Sequence, residues 1–248
     1  MRAVLKIFLI FIGMGLLIPI AAFGWLYFDS TGLPDWRELA QFAPATPKQV
    51  SDPCLRTNEP ILAYPYDAIG ANLRAALSAV EASEDDPGIL DIYYPALIHR
   101  AHPRASLSYL IERDMFCQPY PGRTVNHHLD SLRLAIQLER HFSRRELFTI
   151  FANRLYFAEG QYGVANAARH FFNKESSQLD IEEAALLAGM PREPGRYSPR
   201  FHPDQALQRR NRVIDSMAAA HAIGEADATS AKAVPITVMP IEHEKIGH

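Results

Sequence analysis

The residues with the most evident chemical potential are three consecutive carboxylates, Glu84, Asp85 and Asp86, which follow Ser83 and precede Pro87-Gly88. Adjacent carboxylates repel one another, and even partial burial raises the pKa of at least one of them. A carboxyl group tuned in that way suits general acid or base work on a hydroxyl near neutral pH. The same run also reads as a solvated acidic helix end. His127-His128 is a second reactive pair. Neighbouring helical residues diverge by about 100°, and no third ligand stands at metal-binding spacing, so no metal centre is expected there. Cys54 and Cys117 are too few for a disulfide scaffold and have no CxxC partner. In an oxidising compartment they form either one bridge or two separate buried thiols. Gly160 and Gly163 resemble a phosphate-cradling loop only superficially and read better as turn glycines.

These groups must be positioned by a chain of 248 residues, of which 48% are hydrophobic and 21% charged, enough for one packed domain with appendages. Lys+Arg 25 against Asp+Glu 28 gives a net charge of −3, which argues against nucleic acid as a partner. No charged residue occurs from Ile7 to Phe28. As a helix that run is roughly 33 Å long, enough to cross a bilayer core. Arg2 and Lys6 before it and Asp29 after it place the N-terminus in the cytoplasm and the remainder outside, with Trp25 and Tyr27 at interfacial depth. A cleaved signal peptide, with Ala21-Ala22 near the processing site, is the competing reading of a run that is long for one.

Residues 1–29 are therefore expected to be a membrane anchor, 30–65 a membrane-proximal linker that gains structure towards Leu62, 66–220 the main domain, and 221–248 a peripheral tail. Within the main domain the periodicity is helical. Ala71 to Ala82 is Ala/Leu-rich and free of Gly and Pro. Leu129, Leu132, Ile136 and Phe142 share approximately one helix face. Ser143 and Glu146 form a capping box, and Asp180 with Glu183 repeats it before Ala184-Ala185-Leu186-Leu187. Arg209 to Ala220 reads as another helix. Strand signals are sparse, so the fold class is mainly α.

One stretch binds these elements to a family. It contains Leu138-Glu139, Ser143, Glu146-Leu147, Asn153, Tyr156-Phe157 and Tyr162-Gly163-Val164. It continues with Lys174, Glu183 to Gly189, Pro191, Tyr197-Ser198-Pro199, Arg209-Arg210 and Met217. In order and spacing it resembles the family 51 glycosyltransferases, the peptidoglycan glycosyltransferase domains of penicillin-binding proteins and of monofunctional enzymes. Coverage runs from about Tyr66 to Met217. The resemblance implies a mainly α, lysozyme-like glycosyltransferase domain behind an N-terminal transmembrane helix, on the outer face of the bacterial cytoplasmic membrane. It implies polymerisation of lipid II by transfer of glycan from an undecaprenyl pyrophosphate carrier. Implied partners are lipid II, nascent glycan strands, the membrane, and penicillin-binding or other cell-wall synthesis proteins. A divalent cation on the pyrophosphate is implied by family analogy alone, and no residue clearly claims it.

The chemistry carries over only in part. The first family motif, E-D-x-x-F-x-x-H, matches at Glu84 and Asp85, the implied catalytic residues, but has Gly88 and Asp91 in place of Phe and His. Of the second, G-x-S-T-I-T-Q-Q-L, only Ser106 remains. The third, R-K-x-x-E, falls on His127, His128 and Ser131. These positions, with Asn153, are the implied substrate-binding set. Imidazoles are mostly neutral above about pH 6.5, which weakens a pyrophosphate clamp. Arg123 and Arg133 read as surface charges, or alternatively as replacement cations. Three readings follow. The first is a divergent peptidoglycan glycosyltransferase. The second is a catalytically degenerate relative that binds lipid II, glycan or a partner without turnover. The third is a glycan-cleaving enzyme with Glu84 as lone acid, for which the later motifs give least support. No S-x-x-K followed by K-T-G occurs, so crosslinking is expected to belong to another protein.

Overall fold

The computed structural model describes residues 21, 24–25, 33, 35–51, 55, 60–80, 111 and 125–240, with the backbone alone at 125–129 and 131. Glu84, Asp85, Ser106, Cys54, Cys117 and most of the Ile7 to Phe28 run lie outside the described residues. Among the described residues no helix is long and apolar enough to cross a membrane.

The architecture is mainly helical: α1 (Ala71–Val80), α2 (Val125–His141), α3 (Arg144–Arg154), α4 (Val164–Phe172), α5 (Ile181–Gly189), α6 (Pro203–Ala219) and α7 (Glu225–Ala233). Helix α3 runs through the centre. Ser143 and Glu146 start it with reciprocal backbone bonds, Ser143 N donating to Glu146 Oε2 at 2.7 Å and Glu146 N to Ser143 Oγ at 3.3 Å. From Leu147 to Arg154 every residue is buried, so its apolar stripe is only part of a fully enclosed surface. Helix α5 begins with Glu183 reaching back to the Asp180 N–H at 3.0 Å. Its residues from Ala184 to Gly189 are all buried, and the small side chains of Ala184, Ala185, Ala188 and Gly189 let α1 and α6 approach closely. A Cβ on Gly189 would stand 2.9 Å from Arg209 Cγ on α6.

The expected linker is more ordered than its weak periodicity suggested. Asp35 caps a 3-10 helix, Trp36–Phe42, by accepting from Arg37 N at 3.0 Å. Trp36 stacks on His141 at the end of α2, ring centroids 3.8 Å apart. Strands β1 (Lys48–Val50) and β2 (Ile61–Ala63) pair antiparallel, Val50 opposite Ile61. Leu39, Phe42, Val50, Ile61 and Tyr64 join the same hydrophobic cluster as the helices. Two further differences have local causes. Helix α6 starts at Pro203 rather than Arg209, because Pro at the first position has the helical φ built in. Helix α7 forms where the pattern faded, burying only Ala228 and Ala231, a stripe too small to register in hydropathy. Beyond it residues 234–240 form an extended strap, with Ile236 and Val238 packed on the core.

Candidate functional site

Of the expected site residues, the structure places His127, His128 and Ser131 on α2 and Asn153 at the end of α3. By helical register His127 and Ser131 lie within about 40° of one another, with His128 about 60° to the other side of Ser131. Arg133 lies about 200° round from Ser131. It is not a surface charge: the residue is 4% exposed. Its Nη1 donates to Asp130 Oδ1 at 2.9 Å, and its guanidinium covers the Trp25 ring at 4.3 Å.

Asn153 is fully enclosed, and its side chain serves the backbone. Nδ2 donates to the carbonyls of Phe42 and Tyr64, each at 2.8 Å, and Oδ1 accepts from Tyr64 N at 3.1 Å. One amide thus fastens the 3-10 helix and the end of β2 to α3. Gly163 continues the junction. At φ +82°, a Cβ there would stand 2.8 Å from the Asn153 carbonyl oxygen and 2.9 Å from Ile61 Cγ2, so the position demands glycine.

Between α3 and α4 the chain turns through Ala158 (φ +95°), Glu159 (φ +52°) and Gly160 (φ +78°). Left-handed conformation in two successive non-glycine residues needs compensation. Glu159 supplies it. Its Oε1 accepts from Ser198 Oγ at 2.9 Å, its Oε2 lies 2.9 Å from His170 Nε2, and Arg200 Nη1 bonds the same oxygen. Burial pushes this carboxyl upward. Contact with His170, the bond from Ser198 and the guanidinium of Arg200 outweigh it, and the net direction is down. The centre escaped sequence reading because its members come from three segments. A glutamate inside a glycine turn was the one available signal. Among the described residues no three His, Cys, Asp or Glu side chains converge to hold a metal ion.

Residues 109–218, a range that takes in α2 to α5 and all but the last residue of α6, match the family model described as Transglycosylase. That match supports a glycosyltransferase family 51 domain. It is similar to penicillin-binding protein 1A of Aquifex aeolicus (strain VF5), 41% identical over 95 residues, 38% of this chain and 13% of that protein. It is also similar to penicillin-binding protein 1A/1B of Bacillus subtilis (strain 168), 38% identical over 128 residues, 50% of this chain and 14% of that one. The chain thus spans a small part of the length of these relatives. Against the crystal structure of penicillin-binding protein 1A from Haemophilus influenzae the TM-score is 0.36 at 20% identity, covering 65% of this chain and 19% of that chain. The matched region of this family 51 domain includes His127, His128, Ser131, Asn153 and Glu159, and begins after Glu84, Asp85 and Ser106.

Proposed function

We propose that this protein is a membrane-anchored peptidoglycan glycosyltransferase, its lysozyme-like domain lying outside the bacterial cytoplasmic membrane and acting on lipid II and nascent glycan. The observation that carries the reading is the transglycosylase match over residues 109–218, a region whose framework is built around the Asn153 junction and the capped helices α3 and α5. Residues 1–29 would hold the domain in the plane of its lipid-linked substrates and raise their effective concentration. The Glu84 carboxylate removes the proton of the acceptor GlcNAc 4-OH as that oxygen bonds to the donor anomeric carbon. Undecaprenyl pyrophosphate then leaves with the electron pair of the broken bond. Asp85 supports that base, while Ser106, His127, His128 and Ser131 border the substrate. Cys54 and Cys117 would form one bridge outside the membrane.

A second reading, a relative that binds lipid II, glycan or a wall-synthesis partner without turnover, is favoured by one specific observation. The third-motif positions on α2 are His127, His128 and Ser131, with no carboxylate at 131. A single acid/base group is typically worth about 10²–10⁴-fold. The experiment is lipid II polymerisation by the full chain in detergent beside Glu84→Gln. Chains from wild type and none from the variant support the transferase. Lipid II binding by both without chains from either leaves the binding module.

A further inference from the structure

The Glu159 centre does more than brace a turn, because one of its members also holds the C-terminal strap. Arg200 Nε and Nη2 donate to the Met239 carbonyl at 2.9 and 2.7 Å, and Nη2 also donates to the His170 carbonyl at 3.2 Å. Met239 N donates to the Phe171 carbonyl at 2.8 Å, so the strap is pinned to the last turn of α4 through both sides of one residue. Arg200 Nη1 bonds Glu159 and lies 2.7 Å from His170 Nε2. That nitrogen is itself 2.9 Å from Glu159 Oε2.

Counting hydrogens decides what this triangle tolerates. Arg200 Nη1 carries two, one for Glu159 and one for His170 Nε2. Nε2 cannot serve both neighbours: with the hydrogen on Nδ1, the neutral imidazole accepts from Arg200 Nη1 and leaves Glu159 Oε2 to the guanidinium. One carboxylate then balances one guanidinium. If Nε2 gains a proton, it turns from acceptor to donor, and Glu159 Oε2 is the acceptor within reach. Arg200 Nη1 then faces a cation at hydrogen-bond distance, and two cations share one carboxylate. Glu159 and Arg200 are both nearly buried, their side chains 12% and 9% exposed, so water screens that conflict poorly. The charged groups touching the imidazole are Glu159, from the α3–α4 turn, and Arg200, from the α5–α6 connection; Phe171 meets it edge to face. On its own helix Arg169 is turned to Glu175 and the Tyr64 hydroxyl.

We propose that His170 is a proton-operated latch on the C-terminal strap. Neutral, it accepts from Arg200, which holds Met239. Protonated, it takes Glu159 for itself, displaces Arg200, and frees the Met239 end of the strap while Arg210 keeps Val234 and Lys232 in place through their carbonyls. The latch couples the pH of the compartment to the docking of the strap around Met239. It operates whether or not the domain turns over lipid II.

The test is hydrogen exchange of the Met239 amide in the full chain in detergent between about pH 7.5 and 5.5, spanning the ordinary imidazole range, with rates corrected for intrinsic exchange. Opening that takes up one proton rises at most about tenfold per unit fall in pH, and a rise approaching that limit is expected in wild type. His170→Gln, which accepts from Arg200 but gains no proton, should give a flat profile. Arg200→Gln should expose Met239 at every pH. A pH-independent wild type, an equal rise in His170→Gln, or full protection in Arg200→Gln overturns the latch. If His170→Gln does not fold, wild type decides alone. The opening midpoint must coincide with the His170 ring titration followed by NMR, and separate midpoints overturn the proposal.

Discussion

Asn153 offers a test that separates framework from ligand contact. Asn153→Ala removes one acceptor and two donors from a site with no exposure, leaving Tyr64 N–H and the carbonyls of Phe42 and Tyr64 without their partner. Each buried polar group stranded in this way costs about 1–3 kcal/mol. Three of them, with partial relaxation of the 3-10 helix, set the loss at roughly 3–5 kcal/mol, a large share of a typical domain stability of about 5–15 kcal/mol. Asn153→Leu fills the volume without restoring any bond, so it should lose nearly as much, whereas a pure cavity effect would spare it. The assay is urea unfolding of the full chain in detergent, followed by tryptophan fluorescence, with Trp36 at the start of the helix whose last carbonyl Asn153 holds. Losses below about 1 kcal/mol in both variants would refute the backbone role, since that is no more than one ordinary hydrogen bond. Loss of lipid II binding at unchanged stability would return Asn153 to the substrate.

Gly163→Ala should cost more than about 2 kcal/mol, combining left-handed strain with a contact to the Asn153 carbonyl, while Gly160→Ala, with open space around it, should cost only about 1; equal losses in denaturant unfolding would contradict the close approach. The depressed pKa of Glu159 means that its contribution is present above the ordinary glutamate range and lost as pH falls through the folded value. Glu159→Gln, made in a His170→Gln background, should therefore be less stable at neutral pH and flatter in acid; parallel curves would refute this. Lys174, held above the ordinary lysine range by bonds to Glu183 and then Asp180, contributes stability that disappears only as pH rises through that raised value. Its side chain is 35% exposed, so Lys174→Met should cost under about 1 kcal/mol. Glu183→Ala, which also strands the Asp180 N–H, should cost more in the same unfolding assay, and the reverse order would count against the cap. Ser131→Glu restores the family carboxylate on α2 and should raise polymerisation by about 10²-fold only if Glu84 is a working base; no gain over Ser131→Gln would count against the transferase.

The helical framework was legible where capping chemistry and periodicity coincide. Ser143-Glu146 and Asp180-Glu183 mark helix starts that the structure keeps, and the Ala71 helix begins where its composition does. What escaped was structure held by single backbone contacts rather than by a repeating face. The strands at Val50 and Ile61 are three residues long, too short for alternation to show. Helix α7 buries two alanines. Arg133 looked like a surface charge because sequence does not reveal that Asp130 and the Trp25 ring meet it. Asn153 is a substrate residue by resemblance alone; the partners the structure gives it are backbone groups from residues more than 80 positions away, which no local pattern encodes.

Framework and chemistry are constrained differently. Asn153 and Gly163 answer chiefly to backbone atoms, which are present whatever the side chains, so each is constrained by the fold itself. His127, His128 and Ser131 stand on a helix whose propensity differs by only tenths of a kcal/mol among such residue types, so the scaffold leaves these positions free to vary. Backbone-locked positions therefore mark the fold without reporting a rate. Glu159, His170 and Arg200 belong to a third kind. Their contacts are side chain to side chain, and the titratable ring among them makes the strap respond to pH, a property that can arise on this framework independently of catalysis.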